Sequence, residues 1–244
     1  MNLSLSLHTA KRVFLQLRAD RRTMALILGV PTMLLVLLYF VYDNNSMLFN
    51  RVAVMMLGVL PLMLMFIITS VTMQRERAGG TLERLWTTRL HRADLLTGYA
   101  IAFGFMAVLQ SVVLVLVMDL FLGVETASTS WIFLLLAAVT GVTGVALGLL
   151  GSAFARTEFQ AVQLMPVVIG PQIFLCGLLA PREQLPDVLR WFSNVLPLSY
   201  AVDAANGFSL EGITSSSLGD VAIVAIFALA FLAVASATMP RTTR

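Results

Sequence analysis

Six uninterrupted apolar runs, at 23–42, 52–73, 95–121, 131–154, 161–180 and 218–238, leave this chain little freedom in its choice of fold. About 20 mostly apolar residues suffice to cross the hydrocarbon core as a helix. In lipid only helices and closed barrels satisfy their own backbone groups. The runs are continuously apolar, whereas barrel strands alternate, so the expectation is an all-α membrane protein with six transmembrane helices in a single domain covering 1–244. Of the 244 residues, 59% are hydrophobic and 12% charged. A soluble domain carries about a quarter charged residues, so most of this chain does not face water. The mean hydropathy is +0.90.

Orientation follows from lysine and arginine, which concentrate in cytoplasmic loops. Lys11, Arg12, Arg18, Arg21 and Arg22 precede the first span, and Arg75, Arg77, Arg84, Arg89 and Arg92 lie between the second and third. Arg156 lies between the fourth and fifth, and Arg241 and Arg244 follow the last. The opposite side holds Arg51, Arg182 and Arg190. Both termini are therefore expected in the cytoplasm, with the chain in a bacterial plasma membrane. The net charge of +3 is topology signal, with no nucleic-acid footprint.

Residues 1–22 read as a cytoplasmic interfacial helix, because Leu7, Ala10, Phe14 and Leu17 recur at helical spacing among cations. A solvated basic tail is the alternative. The apolar run that follows is too long for a signal peptide and lacks a small-residue cleavage site, so the segment is expected to stay attached. The long external connection 181–217 is too apolar for a free loop. Val188, Leu189, Trp191, Phe192, Val195 and Leu196 lie between Pro186 and Pro197. They predict short external helices dipping into the outer leaflet, with Trp191 and Tyr200 at headgroup level.

Few residues offer chemistry. The chain has no GxxxxGK[ST] phosphate loop and no HExxH or GxSxG motif, so neither nucleotide hydrolysis by that route nor intramembrane hydrolysis is expected. His8 and His91 lack neighbours at metal-ligand spacing, so no metal site is expected. Cys176 is alone and reads as a small core residue. Polar groups inside spans are costly and therefore candidates for function: Gln110, Asp119, Gln160, Gln163 and Gln172. Gln163 and Gln172 flank Pro166 and Pro171, where carbonyls lose their partners. With Gln110 they form a candidate substrate path, ordinary interhelical hydrogen bonding being the other reading. In the fourth span Gly141, Gly144, Gly148 and Gly151 share one face, which predicts close helix packing within one subunit or between two.

The stretch RERAGGTLERLWTTRL, residues 75–90, stands apart as a crowd of charge between two spans. Gly79 and Gly80 stop the preceding helix, Thr81 supplies a cap for a new one, and Leu82, Leu85 and Trp86 fall on one face, away from Glu83 and Arg84. The result is a short amphipathic helix at the membrane surface, or alternatively a charged turn that anchors topology.

This stretch resembles the signature of the type 2 ATP-binding cassette exporter permeases, in which a glutamate followed by G-T-L-E-x-L forms the first cytoplasmic coupling helix. The match falls on Glu76, Gly80, Thr81, Leu82, Glu83 and Leu85. A second stretch, CGLLAPREQLPDVLRWFSNVLPLSYAVDAANG, is similar to the family's external segment between spans five and six. Many relatives place a proline beyond the coupling segment, where this chain has Arg89-Leu90-His91. The resemblance implies a coupling helix that docks on a separate ATPase subunit, which binds the ATP and magnesium. No cofactor is then held by this chain. It further implies that Glu83 and Arg84 make the polar contacts to the ATPase, that Leu82, Leu85 and Trp86 pack the helix, and that a second permease copy or a sibling permease completes the pathway.

Its implied function is export of a hydrophobic or amphipathic substrate, such as a drug, an antibiotic or a lipid-like molecule. A secondary transporter is the alternative, but it would carry ionisable residues near mid-bilayer and paired broken helices. A non-transporting assembly subunit would need none of these features.

Overall fold

The computed structural model describes residues 3–42, 45–79 and 92–238, and all regular structure among them is helical. In chain order the helices are α1 (Leu3–Ala19), α2 (Arg21–Val41), α3 (Ser46–Ala78), α4 (Arg92–Leu120), α5 (Ser130–Ser152), α6 (Glu158–Val168), α7 (Gly170–Leu175), a 3-10 turn (Arg182–Gln184), α8 (Asp187–Ser193), α9 (Pro197–Leu210) and α10 (Ser215–Thr238). Five described helices, α2, α3, α4, α5 and α10, are long and apolar enough to cross a membrane. The end at which α3 finishes and α4 begins is termed the base.

Helix α3 and helix α5 form the central pair, with α4 and α10 flanking α5. The glycine-bearing face of α5 sets how closely they approach. A Cβ on Gly144 would lie 2.3 Å from the Leu62 carbonyl oxygen, and one on Gly148 2.6 Å from that of Phe66. Backbone thus meets backbone. Gly151 faces the Phe66 ring at 3.2 Å, and Gly141 faces the Ala107 Cβ at 2.9 Å, which draws in α4. Helix α2, by contrast, turns Leu26, Met33, Leu37 and Phe40 outward, as a lipid-facing helix does.

Caps fix the ends where the chain reverses. Asp20, the single residue between α1 and α2, accepts hydrogen bonds from the Arg22 and Thr23 amides and from the Thr23 hydroxyl, which starts α2. These bonds, that of the Thr23 side chain foremost, hold its carboxyl below the usual range. Asn45 caps α3 through the Leu48 amide at 3.0 Å, satisfying a donor that has no intrahelical partner.

Three features differ from the sequence reading. The run 161–180 is not one continuous helix: α6 ends at Val168, α7 covers only Gly170–Leu175, and residues 176–181 are not helical. Proline explains the break, since Pro171 donates no hydrogen bond to the preceding turn and takes a first-turn position in α7. The connection 181–217 is not wholly peripheral either. Helix α9 is buried against α3 and α10, and Leu198, Ala201, Val202, Ala205 and Phe208 are inaccessible. At 14 residues it spans about 21 Å, too short to cross but long enough to fill the core. Finally, α1 buries Ser6, Ala10, Val13 and Leu17 against α4, while Leu7 stays 51% exposed. The contact face is rotated because Gly98 admits α1 so closely that a Cβ there would lie 2.6 Å from the Thr9 Cβ. Phe14 meets Phe105 edge-on at 5.2 Å.

Replacing Gly144 with alanine should destabilise the chain by about 1–3 kcal/mol, the usual cost of overpacking, because a rigid carbonyl occupies the new methyl's place. A methyl added to Gly29 of α2 would meet nothing within 4 Å, so Gly29→Ala should be neutral or slightly stabilising. Thermal unfolding of both variants in the same detergent checks the contrast, and equal melting temperatures would refute it.

Candidate functional site

Helix α3 has 33 residues and is therefore about 50 Å long, well beyond the ~30 Å hydrocarbon core. Its last turn projects at the base and carries Arg75, Glu76 and Arg77. Successive residues on a helix point about 100° apart, so these three aim in different directions. Each finds a different helix.

Arg75 donates from Nε and Nη2 to the two carboxylate oxygens of Glu158 at 3.1 and 3.0 Å, reaching the start of α6. Glu76 turns toward α1, with its Oε2 3.7 Å from Nη2 of Arg12. The same Arg12 nitrogen donates to the Tyr99 hydroxyl of α4 at 2.9 Å. Arg77 turns to α5, donating to the Ser152 carbonyl at 2.6 Å and to its hydroxyl at 3.3 Å.

Arg77 is the unusual member because it is buried, at 7% exposure, and both of its described partners belong to one serine. Ser152 is the last residue of α5. Its carbonyl is one of those that a helix end leaves without an intrahelical donor, and it sits at the negative end of the helix dipole. The guanidinium therefore meets partial negative charge in place of a carboxylate. Next to these contacts a cavity of about 360 Å³ opens between α1 and α3, lined by Leu17, Asp20, Arg75, Glu76 and Tyr99 among others.

Of the residues singled out in the sequence, Glu76 lies in this cluster and is engaged with α1. Thr81, Leu82, Glu83, Arg84, Leu85 and Trp86 lie outside the described residues, between α3 and α4 in the chain. The three glutamines are not brought together. Gln163 is exposed beside a cavity of about 410 Å³ with Arg156 and Gln160. Gln172 is buried and its Nε2 donates to the Val168 carbonyl at 2.9 Å, bridging the break between α6 and α7. Gln110, in α4, is fully buried with neither amide atom hydrogen-bonded. Gly141, Gly144, Gly148 and Gly151 lie at contacts within the chain. No group of three or more potential metal ligands occurs among the described residues.

Sequence reading missed Arg12, Tyr99, Ser152 and Glu158 as members of the cluster. The signal for Arg75 and Arg77 was present as charge density, but partners 75 and 83 residues away leave no local pattern.

Comparison with known proteins yields a family model described as ABC-2 type transporter, which matches residues 7–208. The chain is 30% identical over 146 residues to ABC transporter G family member 20 of Dictyostelium discoideum, covering 60% of this chain and 20% of that protein. It is 28% identical over 174 residues to the probable multidrug ABC transporter permease YbhS of Escherichia coli K12, covering 71% and 44%. It is 29% identical over 92 residues to nodulation protein J of Bradyrhizobium diazoefficiens, covering 38% and 35%. The matched part spans less than half the length of each of these relatives.

Tyr99→Phe should remove one hydrogen bond of Arg12 and lower stability by about 1 kcal/mol, leaving the helices otherwise in place. A fall in melting temperature with unchanged circular dichroism would agree. An unaltered melting temperature would show that the Arg12 contact contributes nothing.

Proposed function

Since this chain belongs to the ABC-2 type transporter family, we propose that it is the permease subunit of an exporter driven by ATP hydrolysis in a separate ATPase subunit. The observation that carries this reading is the cluster at the base. Arg75, Glu76 and Arg77 tie the last turn of α3 to α1, α5 and α6, and the chain passes directly from that turn into G-T-L-E-R-L. A force applied to the 80–91 segment enters the bundle there. In this reading Glu83 and Arg84 contact the ATPase, Leu82, Leu85 and Trp86 seat the segment, and the partner binds ATP and magnesium.

The base faces the cytoplasm of a bacterial cell, and six crossings return both termini to that side. Five are the long helices. The fifth crossing in order is α6 with α7, which together run from 158 to 175, about 27 Å at helical rise. The outward apolar faces of α2 and α10 meet lipid. A second copy or a sibling permease completes the pathway, to which Gln163, Gln172 and Gln110 are candidate contributors. The multidrug description of the YbhS relative and the scarcity of charged residues within the spans support a hydrophobic or amphipathic substrate.

Glu83→Lys tests the coupling. Removing one partner of a buried charge pair costs about 2–5 kcal/mol of binding, so recovery of the ATPase with the permease should fall at least about tenfold and efflux should stop, with membrane insertion unchanged. Normal recovery and efflux would make the segment a topology anchor only.

Orientation is tested separately, in a chain whose Cys176 has been replaced by alanine. A cysteine at the exposed Ser215 should react with an impermeant reagent added outside cells, and one at Thr88 should not. The reverse labelling would invert the topology and remove the coupling argument.

A further inference from the structure

The short connection 153–157 between α5 and α6 is gripped at both ends by arginines two residues apart on α3. Arg77 holds Ser152, the last residue before it, and Arg75 holds Glu158, the first residue after it. The two grips differ in kind. Arg77 is 7% exposed, and a buried cation released from its partners has no water to replace them. The Arg75 and Glu158 side chains are 62% and 46% exposed, so water and salt compete for both charges.

The elements on either side differ in the same sense. Helix α5 is packed along its glycine face. In α6 only Ala161 is buried, while Phe159 and Val167 are 70% and 69% exposed. Apart from the buried Ala161 and the local Thr157 cap on the Gln160 amide, the Arg75–Glu158 pair is the described side-chain bond that ties the start of α6 to another helix.

We infer that the connection 153–157 is a joint with one fixed and one releasable end: Arg77 is a positioning residue that makes α5 move with the base of α3, and Arg75–Glu158 is a latch that engages and frees α6. The transport role of this joint rests on the coupling reading above, but the joint itself is a property of the isolated chain. Once the latch opens, α6 turns about the break at Ile169 while α5 stays with α3. The latch closed is the state seen here.

Hydrogen exchange of the isolated permease in lipid nanodiscs, read by mass spectrometry, tests the joint without the ATPase. Glu158→Gln and Arg75→Glu should each speed exchange in 158–168 by about two- to fivefold, the range of an exposed ion pair, and leave 141–152 unchanged. The swapped pair, Arg75→Glu with Glu158→Arg, should restore the wild-type rate. Arg77→Lys keeps the charge and loses the second donor, so it should speed exchange at the end of α5 as well. Unchanged exchange in Glu158→Gln, or a swap that does not restore it, would overturn the latch. Efflux by the complex with its ATPase should be lost in the single variants and regained in the swap, with equal recovery of the ATPase throughout. Loss of the ATPase from Glu158→Gln would make Glu158 a partner contact and also overturn the latch. If wild-type protein shows no ATP-dependent efflux while the exchange pattern holds, the exporter reading fails and the joint stands.

Discussion

Backbone contact between α3 and α5 is the constraint on which the rest of the structure depends. Lipid tails are as apolar as leucine, so no hydrophobic force drives one membrane helix against another. Association then relies largely on dispersion, of which a gap of about 0.5–1 Å forfeits roughly a quarter to a half. Gly144 and Gly148 remove the side chains that would hold the helices apart, and the carbonyls of Leu62 and Phe66 occupy that space. Gly141 extends the contact to α4 through Ala107. With α3 and α5 so placed, Ser152, directly after Gly151, falls within reach of Arg77. The buried cation at the base is therefore a consequence of the glycine face that ends beside it.

That cation also shows how a chain with so little charge uses what it has. Arg75, Glu76 and Arg77 span about 200° of a turn, and α3 is long enough beyond the apolar layer to let them spread. Arg77 is the energetically decisive member, because removing a partner from a buried charge typically costs several kcal/mol. The Arg75–Glu158 pair contributes at most about 1 kcal/mol given its exposure. Glu76 and Arg12 lie between these limits, with side chains 12% and 31% exposed. One turn of helix thus carries a graded set of contacts to α1, α5 and α6.

How much of this was legible in the sequence depended on the range of each signal. Helix-length apolar runs mark α2, α3, α4, α5 and α10 directly, because lipid demands a continuous stretch. The fifth run was apolar too, but Pro166, Gly170 and Pro171 decide its conformation, and hydropathy does not register them as breaks. Helix α9 carried the pattern of a buried helix in Leu198, Ala201, Val202, Ala205 and Phe208, yet at 14 residues it fell below the length that identifies a crossing. The glycine face could be read as a packing surface, but its partner could not, since spacing describes one helix at a time. At the base the positions of charge were visible and their pairings were not. Arg77 and Ser152 are 75 residues apart, and only the fold brings them together.

If the chain transports as proposed, the distribution of packing decides where motion occurs. The central pair has no side chains at its closest contacts that could rotate aside, so sliding α5 along α3 would require backbone to pass through backbone. Helix α9 fills the space against α3 with residues that are wholly buried, which blocks rotation there. Helix α1 is pinned by Gly98 and by Arg12 on Tyr99. What is left is the broken segment α6–α7, exposed along much of its length, where neither Pro166 nor Pro171 has a backbone N–H to donate. A segment that already lacks those donors bends at less cost than an unbroken helix. A push on the 80–91 segment would therefore move α3 and α5 as one body and be felt as a change of angle in α6, and Gln172 at the break is the polar group whose bond to Val168 that change would strain first.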